Sequence, residues 1–397
     1  MATKDQDQLV AGQRPGKEQV VGLDVLRFAA ALLVMFYHLG SMSWRVSGNP
    51  AARIIDAPLS LPRMLPLTSF GWVGVELFFV ISGFVILYSS EGQSAAAFAK
   101  LRALRLLPCI WFSALACACV AVIFSHEPVY WTLARLLMTL AVYPVPFWID
   151  NVYWTLNVEI SFYLLVYVLI RQGNPARLEI VVTALGCFSS VLWLLADTGL
   201  VPHLAYYLNK HVSRVLLFTQ GGYFALGVIA FRVMRDGATM RRIAAAALCL
   251  VGALCEIRAG STIDSVFLGV EDNPIIPQSV FLVGMAIFAT SLLLRAPLGA
   301  WLSGWRRPIR LLGLSTYPLY LLHTTFGGLA LHVALRVGLS DEAALAAAIL
   351  FNLGLALFVA SRVEPLLRGR LRMWLDRLPL DSRMGGPVTA NPVPARR

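Results

Sequence analysis

Apolar blocks of about 20 residues recur between residues 21 and 361, and segments rich in proline, glycine and charge separate them. A helix of that length crosses the ~30 Å hydrocarbon layer of a bilayer. The chain is 58% hydrophobic and 14% charged, whereas a soluble domain is about half apolar and a quarter charged. The sequence therefore predicts an all-α fold, a polytopic bundle of transmembrane helices.

Ten spans are predicted, and they delimit three regions of the chain. We expect a flexible N-terminus at 1–20, a transmembrane domain at 21–362 and a basic tail at 363–397 whose end is disordered. Residues 126–151 are aromatic and broken by proline, so an interfacial or re-entrant segment is predicted there. The spans are 21–40, 71–90, 106–125, 152–170, 178–196, 213–231, 243–258, 277–294, 311–331 and 343–361.

The distribution of lysine and arginine orients these spans. The net charge of +11 would suit nucleic acid, but the basic residues lie between the apolar blocks, so no nucleic-acid partner is expected. With residues 1–20 in the cytoplasm, 24 of the 33 Lys and Arg residues fall on the cytoplasmic side and seven on the other. This excess predicts that both termini are cytoplasmic. The six cysteines form no CxxC pair, so neither a metal site nor a disulfide is predicted.

Two ionisable residues, Arg27 and His38, lie in the first span. An arginine near the centre of a span costs about 2.5–3.5 kcal/mol on insertion scales, so such residues usually face the bundle interior. Eleven residues at 100° each bring His38 back to the face of Arg27, about 16 Å along the axis. The spacing suits the two ends of one elongated site, although a snorkelling arginine and an interfacial histidine remain the alternative.

Three further spans carry ionisable side chains in their predicted outer halves: Glu76 in the second, Glu159 in the fourth and His323 in the ninth. A carboxylate beside an imidazole fixes its tautomer and stabilises its protonated form. The pattern therefore favours an acid–base site that includes His38, and a purely structural polar cluster is the alternative. Lys100, Arg102 and Arg105 precede the third span, where they either set topology or bind phosphates.

Five patterns carry a family resemblance over about residues 21–362. The first is the Arg27–His38 spacing, and the second is G-V-[DE]-L-F-F-V-I-S-G-F, matched from Gly74 to Phe84 and including Glu76 and Ser82. The other three are an Arg-rich stretch ending in proline (Arg102, Arg105, Pro108), [ST]-L-x-x-E-x-x-F-Y (Thr155, Leu156, Glu159, Phe162, Tyr163) and S-x-Y-x-x-Y-L-x-H (Ser315, Tyr317, Tyr320, Leu321, His323). Together they resemble the acyltransferase 3 family of integral-membrane O-acyltransferases.

Two positions depart from the family pattern. Relatives often have a proline soon after the late histidine, whereas Thr324 and Thr325 follow His323 here. The arginine stretch has no Arg–Arg doublet, because Leu101 and Ala103 flank Arg102. The departures thus fall at the late histidine and at the residues expected to bind phosphates.

The resemblance implies a multi-pass protein of the bacterial inner membrane that takes acyl-CoA, most often acetyl-CoA, from the cytoplasm. The acceptor would be a hydroxyl of a carbohydrate or lipid-linked glycan on the outer side, such as surface polysaccharide or lipopolysaccharide. Some relatives instead acylate macrolides or other small molecules. Acyl-CoA would be a co-substrate, and no permanently bound cofactor is expected.

The expected catalytic residues are His38 and Glu159. His38 would accept the proton of the acceptor hydroxyl, or would carry the acyl group itself, and Glu159 would orient the imidazole or stabilise its charge. Arg27, Arg102 and Arg105 would bind acyl-CoA. The expected supporting residues are Glu76, Ser82, Tyr163, Tyr317 and His323.

Two other classes remain open from the residues themselves. Intramembrane Arg, His and Glu also suit a proton-coupled secondary transporter. Transporters often contain inverted repeats, and no repeat is visible in this sequence. A catalytically silent scaffold is the third possibility, in which His38→Ala would change no cellular phenotype.

Overall fold

The computed structural model describes residues 20–125, 127–173 and 175–377, and within these ranges the chain is helical with no strand. The N-terminus before residue 20 and the tail end after residue 377, both predicted to be flexible, lie outside these ranges. The longer helices are α1 Val21–Tyr37, α2 Gly74–Ser90, α3 Ala95–Phe124, α4 Val129–Leu140, α5 Trp154–Arg171, α6 Pro175–Asp197, α7 Gly221–Asp236, α8 Met240–Leu268, α9 Ile275–Leu293, α10 Arg306–Arg336, α11 Asp341–Phe358 and α12 Glu364–Arg377.

The predicted all-α membrane bundle is confirmed. In the part of the chain that is described, nine helical stretches are long and apolar enough to cross a membrane: Val21–Arg45, Leu65–Ser90, Ala95–Phe124, Asn151–Arg171, Arg177–Asp197, Met240–Leu268, Ile275–Leu293, Ser303–Arg336 and Asp341–Arg377. The predicted interfacial segment contains α4, an apolar helix of 12 residues, followed by irregular chain up to Asp150. The seventh span, predicted at 243–258, extends to Leu268, because its polar second half buries Ser261 and Ser265 against the bundle.

The sixth predicted span, 213–231, is divided. A short helix, His211–Val215, is followed by a break in which Leu217 has a positive φ of 62°, and α7 then contributes only 16 residues. The side chains of Ser189 and Trp193 on α6 donate to the carbonyl oxygen of Thr219 in the break, at 3.1 and 3.2 Å. Irregular backbone is tolerated inside a bundle where its polar groups are satisfied in this way.

Short polar side chains start several of the long helices. Ser94, Thr239 and Ser340 precede α3, α8 and α11, and each hydroxyl oxygen accepts from the backbone N–H three residues later. Such caps satisfy N–H groups that have no partner within the helix. Further short helices and turns join the long ones: Ser43–Arg45, Pro50–Ile54, Leu65–Thr68, Gly71–Val73, Asn151–Tyr153, Leu204–Leu208, Arg295–Trp301 and Ser303–Trp305.

Helix α10 is the centre of one half of the bundle, where it packs against α1, α3 and α11. On the other side, α2 packs against α7 at two glycines. A Cβ on Gly83 would lie 2.2 Å from the Phe224 carbonyl oxygen, and one on Gly227 would lie 2.0 Å from that of Val80. Only glycine permits this approach, which holds the second-span residues against α7.

Helix α1 does not end at Tyr37 but continues through a π-helical turn, His38–Met42. A π turn widens the helix locally and is frequent at functional sites. His38 is the first residue of the turn, so the regular helix before it preserves the predicted alignment of His38 with Arg27. The turn places His38 where α1 meets α10.

Candidate active site

Two histidines from different helices meet between α1 and α10. The rings of His38 and His323 are 4.9 Å apart between centroids and nearly perpendicular, at 71°. His38 Nδ1 is 2.9 Å from the Val34 carbonyl oxygen, and His323 Nδ1 is 2.9 Å from that of Tyr320. A carbonyl oxygen only accepts, so each Nδ1 carries hydrogen and each neutral ring keeps its lone pair on Nε2. The two rings thus present Nε2 as the basic atom.

The histidine pair has a buried carboxylate beside it, Asp150, which the sequence analysis missed. Its Oδ2 accepts from Thr325 at 3.0 Å and from Thr324, and its Oδ1 accepts from the Val152 backbone N–H at 3.2 Å. Burial raises the pKa of the Asp150 carboxyl, while these hydrogen bonds and the nearby His38 act to lower it. We call His38, His323 and Asp150 the histidine end of the site.

The threonine pair that departs from the family pattern therefore has a structural role. Thr324 and Thr325 take the place of the expected proline and donate to Asp150. Asp150 itself lies outside every predicted span, at the end of the irregular segment that leads into α5. The sequence signals that it enters the bundle were its place in the predicted interfacial or re-entrant segment 126–151 and its position shortly before the pattern that begins at Thr155.

Tyr37 links the histidine end to α8. Its ring meets His38 edge-on, with centroids 5.1 Å apart, and its hydroxyl donates to Asp264. Tyr37 is buried, whereas Asp264 is only partly buried. This contact fixes one side of the His38 ring.

Glu159 lies in a different group from His38. Its Oε1 accepts from Tyr163 at 2.6 Å and from Ser82 at 3.3 Å, and its charge acts on Arg27. Tyr163 is one turn further along α5, so the spacing of four residues brings the hydroxyl back to the carboxylate. The structure thus groups Glu159 with Arg27 and groups Asp150 with the two histidines; a role of Glu159 in orienting His38 stays a prediction.

The predicted phosphate-binding arginines form the arginine end of the site, which we define as Arg27, Arg102 and Arg105. Arg102 donates to Ser89 Oγ at 2.7 Å, and its guanidinium lies 5.5 Å from the Tyr163 ring. Arg105 lies 5.6 Å from the Tyr317 ring, and the Arg27 Nε is buried with no hydrogen-bond partner in the described part of the chain. Cations stacked on aromatic rings keep their hydrogen-bond donors available for anions.

A row of side chains that winds around α3 runs from the arginine end towards the histidine end. Arg105, Cys109, Ser113 and Cys117 follow one another at intervals of four residues, and the last three are buried. Twelve residues of helix span about 18 Å. Arg105 lies at the arginine end, while Cys117 is within electrostatic range of Asp150. Arg27 and His38 on α1 are separated by about 16 Å in the same direction.

Glu76 belongs to neither end. It is 4% exposed and lies within electrostatic range of Arg214 and Glu256. Glu256 accepts from the hydroxyl of Tyr223, and the Arg214 guanidinium lies 4.5 Å from the Trp154 ring. The four ionisable residues that were expected to share one site therefore lie in three groups. Of the four, His38 and His323 are in direct ring contact.

The membrane bundle matches one protein family over nearly its whole length. A family model described as an acyltransferase domain, Acyl_transf_3, matches residues 20–361. Nodulation protein 10 of Rhizobium leguminosarum bv. viciae is 28% identical over 203 residues, covering 44% of this chain and 50% of that protein. A protein of Acidianus two-tailed virus named as a putative acetyltransferase, ORF330, is 30% identical over 159 residues, covering 38% of this chain and 41% of that protein.

The matched segments thus span half or less of the length of those two relatives. No solved structure matches the chain. The family match includes both ends of the site, so the family assignment does not depend on the two relatives that match only part of the chain. The chain has helices long and apolar enough to cross a membrane, and it belongs to the acyltransferase 3 family.

Proposed function

We propose that the protein is an acyl-CoA-dependent O-acyltransferase, most simply an O-acetyltransferase. It takes the acyl group from the cytoplasm and transfers it to a hydroxyl of a carbohydrate or lipid-linked glycan outside the bacterial inner membrane. The observation that carries this proposal is the basic Nε2 of His38, placed about 16 Å from the arginine end and fixed by the Nδ1 hydrogen bond to Val34. Phosphates at the arginine end would place the thioester, carried on its long thin pantetheine arm, at His38.

Acyl transfer needs a base for the alcohol and an acid for the departing thiolate. His38 Nε2 takes the acceptor hydroxyl proton while the oxygen attacks the thioester carbonyl carbon. The C–S bond of the tetrahedral intermediate then breaks, and the protonated His38 returns the proton to the thiolate sulfur. Asp150 stabilises the imidazolium during the interval when His38 carries a positive charge. The products are the ester and the free thiol of CoA.

A second route passes through an acyl-histidine. His38 Nε2 attacks the thioester carbonyl carbon, the C–S bond breaks and the thiolate leaves. The acceptor oxygen then takes the acyl group as the C–N bond to the imidazole breaks, and the acceptor proton ends on the thiolate sulfur. His323 offers another Nε2 beside the first, and this atom has no hydrogen-bond partner among the described residues. Rapid quenching of enzyme with labelled acetyl-CoA in the absence of acceptor distinguishes the routes, since only the second leaves label on protein.

The test is acyl transfer from labelled acetyl-CoA by detergent-purified protein, with water as a slow default acceptor. We expect label transfer or release that disappears in His38→Ala and persists in His332→Ala, a histidine outside the site. Well-folded wild type that neither binds nor turns over acetyl-CoA contradicts the proposal. Proton-dependent uptake of a solute under those conditions would favour the transporter class instead.

The acceptor class needs its own test. Membranes that contain the protein would be supplied with labelled acetyl-CoA, and the label would be sought in carbohydrate, lipid-linked glycan and small-molecule fractions. Label in glycan that base hydrolysis releases supports the proposed ester. Label confined to a small molecule such as a macrolide contradicts the glycan acceptor while leaving acyl-CoA as the donor.

A further inference from the structure

Helix α12 lies beyond the family match, which ends at residue 361, yet it packs along α3 beside the arginine end. The chain reaches it from α11 through a π-helical turn, Val359–Val363. At the near end of α12, Glu364 lies 3.6 Å from Arg105. At the far end, Asp376 pairs with Lys100. Helix α12 is thus docked beside the arginine end by contacts at both ends of the helix.

Glu364 holds two guanidinium groups on one oxygen atom. Its Oε1 contacts Arg105 Nη1 and also Arg368 Nη2, one turn further along α12. The Glu364 side chain is 3% exposed, and the Arg368 side chain is 18% exposed. The other carboxylate oxygen, Oε2, is buried with no hydrogen-bond partner in the described part of the chain. One carboxylate therefore fixes the position of two arginines from different helices.

Guanidinium groups cluster around Glu364. Arg105 and Arg368 face one carboxylate, and Arg27 is close enough for its charge to act on that of Arg105. A partly buried cluster of guanidinium groups suits a polyanion, and planar arginines bind phosphate oxygens in pairs. Acyl-CoA carries such a polyanion, a diphosphate and a 3′-phosphate, on the end remote from its thioester.

We propose that α12 completes the phosphate-binding site for acyl-CoA, with Arg368 as a binding residue. Glu364 is a positioning residue that holds Arg105 and Arg368 side by side. The inference rests on the proposed acyl-CoA donor. It extends that site to a helix outside the family match and adds residues that no sequence pattern indicated.

The probe is 3′,5′-ADP, which carries phosphates of the donor without its thioester. Its binding to full-length protein in nanodiscs of zwitterionic lipid would be measured by calorimetry. We expect Arg368→Gln to raise the Kd about tenfold, which corresponds to about 1.4 kcal/mol. Arg368→Lys should give an intermediate Kd, because it keeps the charge but loses the paired donors. The matched control is Arg372→Gln on the same helix, whose side chain is 54% exposed and whose Kd should stay within about twofold.

Glu364→Gln tests the positioning role separately. The amide keeps an oxygen acceptor but loses the charge that holds both guanidinium groups, so the Kd should rise several-fold while kcat at saturating acetyl-CoA changes little. A Kd lower than that of wild type would overturn the positioning role, since it would show that the carboxylate competes with phosphate. Thermal unfolding of each variant checks that the tail remains docked.

Phosphate could also come from a lipid headgroup, and the same variants separate the two sources. If Arg368→Gln leaves 3′,5′-ADP binding unchanged but weakens association with anionic lipid, α12 binds headgroups and the proposal is overturned. If wild type itself binds no 3′,5′-ADP, the acyl-CoA donor and this inference both fail. Wild-type binding with an unchanged Arg368→Gln overturns the inference alone.

Discussion

The two ends of the site differ in how their charged groups are stabilised. At the histidine end, one buried carboxylate is held by two threonine hydroxyls and a backbone N–H. At the arginine end, guanidinium groups lie over tyrosine rings, and Arg105 also contacts the carboxylate of Glu364. The first arrangement suits a proton transfer in a fixed geometry, and the second suits the capture of an anion. The contrast predicts that the reaction rate depends on residues of the histidine end and that the affinity for the donor depends on residues of the arginine end.

The helix segments that lie between the two ends support this separation. The α3 row from Arg105 to Cys117 and the α1 face from Arg27 to His38 cover similar lengths, about 18 and 16 Å. Of the four residues in the α3 row, Arg105 is charged, whereas Cys109, Ser113 and Cys117 are neutral. Neutral side chains cost less to desolvate than charged ones. Substitutions at the arginine end should therefore change kcat little, and substitutions at the histidine end should change the affinity for the donor little.

The largest effect is expected for His38→Ala. Removing the base should lower kcat by about 10²–10⁴-fold, the usual contribution of general acid–base catalysis. The Kd for 3′,5′-ADP should not change, because the arginine end is intact. Initial rates with labelled acetyl-CoA and calorimetry on the same preparation provide both numbers. Turnover that survives would keep the family assignment and remove His38 from the mechanism.

Asp150→Asn comes next. The amide keeps an oxygen for the threonines but loses the charge that stabilises protonated His38, and an interaction with a charged group is worth about 2 kcal/mol. We expect kcat to fall about 30-fold with little change in the KM for acetyl-CoA, both taken from steady-state kinetics. Asp264→Asn is the matched control and should have a smaller effect, because Asp264 contacts Tyr37 rather than a histidine. An unchanged kcat in Asp150→Asn would break the assignment of Asp150 to the histidine end.

Arg105→Gln addresses the arginine end. The loss of one phosphate-binding charge should raise the KM for acetyl-CoA about tenfold, or about 1.4 kcal/mol, with kcat within about twofold. The effect should shrink at high ionic strength, since salt screens the wild-type attraction. Arg295→Gln, an exposed arginine in the short helix between α9 and α10, is the matched control. A fall in kcat without a change in KM would contradict the division of labour.

Glu159→Gln has the smallest expected effect, and it best distinguishes a role of Glu159 at the arginine end from a role at the histidine end. Because Glu159 contacts Tyr163 and Ser82 and its charge acts on Arg27, the substitution should raise the KM for acetyl-CoA several-fold and leave kcat within about twofold. Steady-state kinetics over a range of acetyl-CoA concentrations measures both. A lower kcat at unchanged KM would move Glu159 to the histidine end, where the sequence alone had placed it.

Much of the framework was predictable from local features. The membrane bundle followed from the length of the apolar blocks, and Arg27, His38, Glu159 and His323 stood out because charge is costly inside such blocks. From the sequence, His323 and His38 were expected only to lie at a similar depth in the membrane. The structure adds the ring contact and the hydrogen bonds that leave Nε2 basic on both rings.

Other features had little or no local signal. Asp150 sits in an irregular segment, and its partner Thr324 is 174 residues away along the chain. The break inside the predicted sixth span depends on α6 side chains that satisfy Thr219. The docking of α12 depends on α3, although its sequence reads simply as a basic tail.

By itself, the sequence determined that the chain spans a membrane and which ionisable residues its spans contain. Both are properties of short windows, because the hydrophobic length and the insertion cost are set residue by residue. Only the tertiary structure decided which carboxylate meets which base, and that Glu76, Glu159 and Asp150 fall into three separate groups. Those pairings depend on how each helix is rotated against its neighbours, and packing between segments far apart in the sequence sets that rotation.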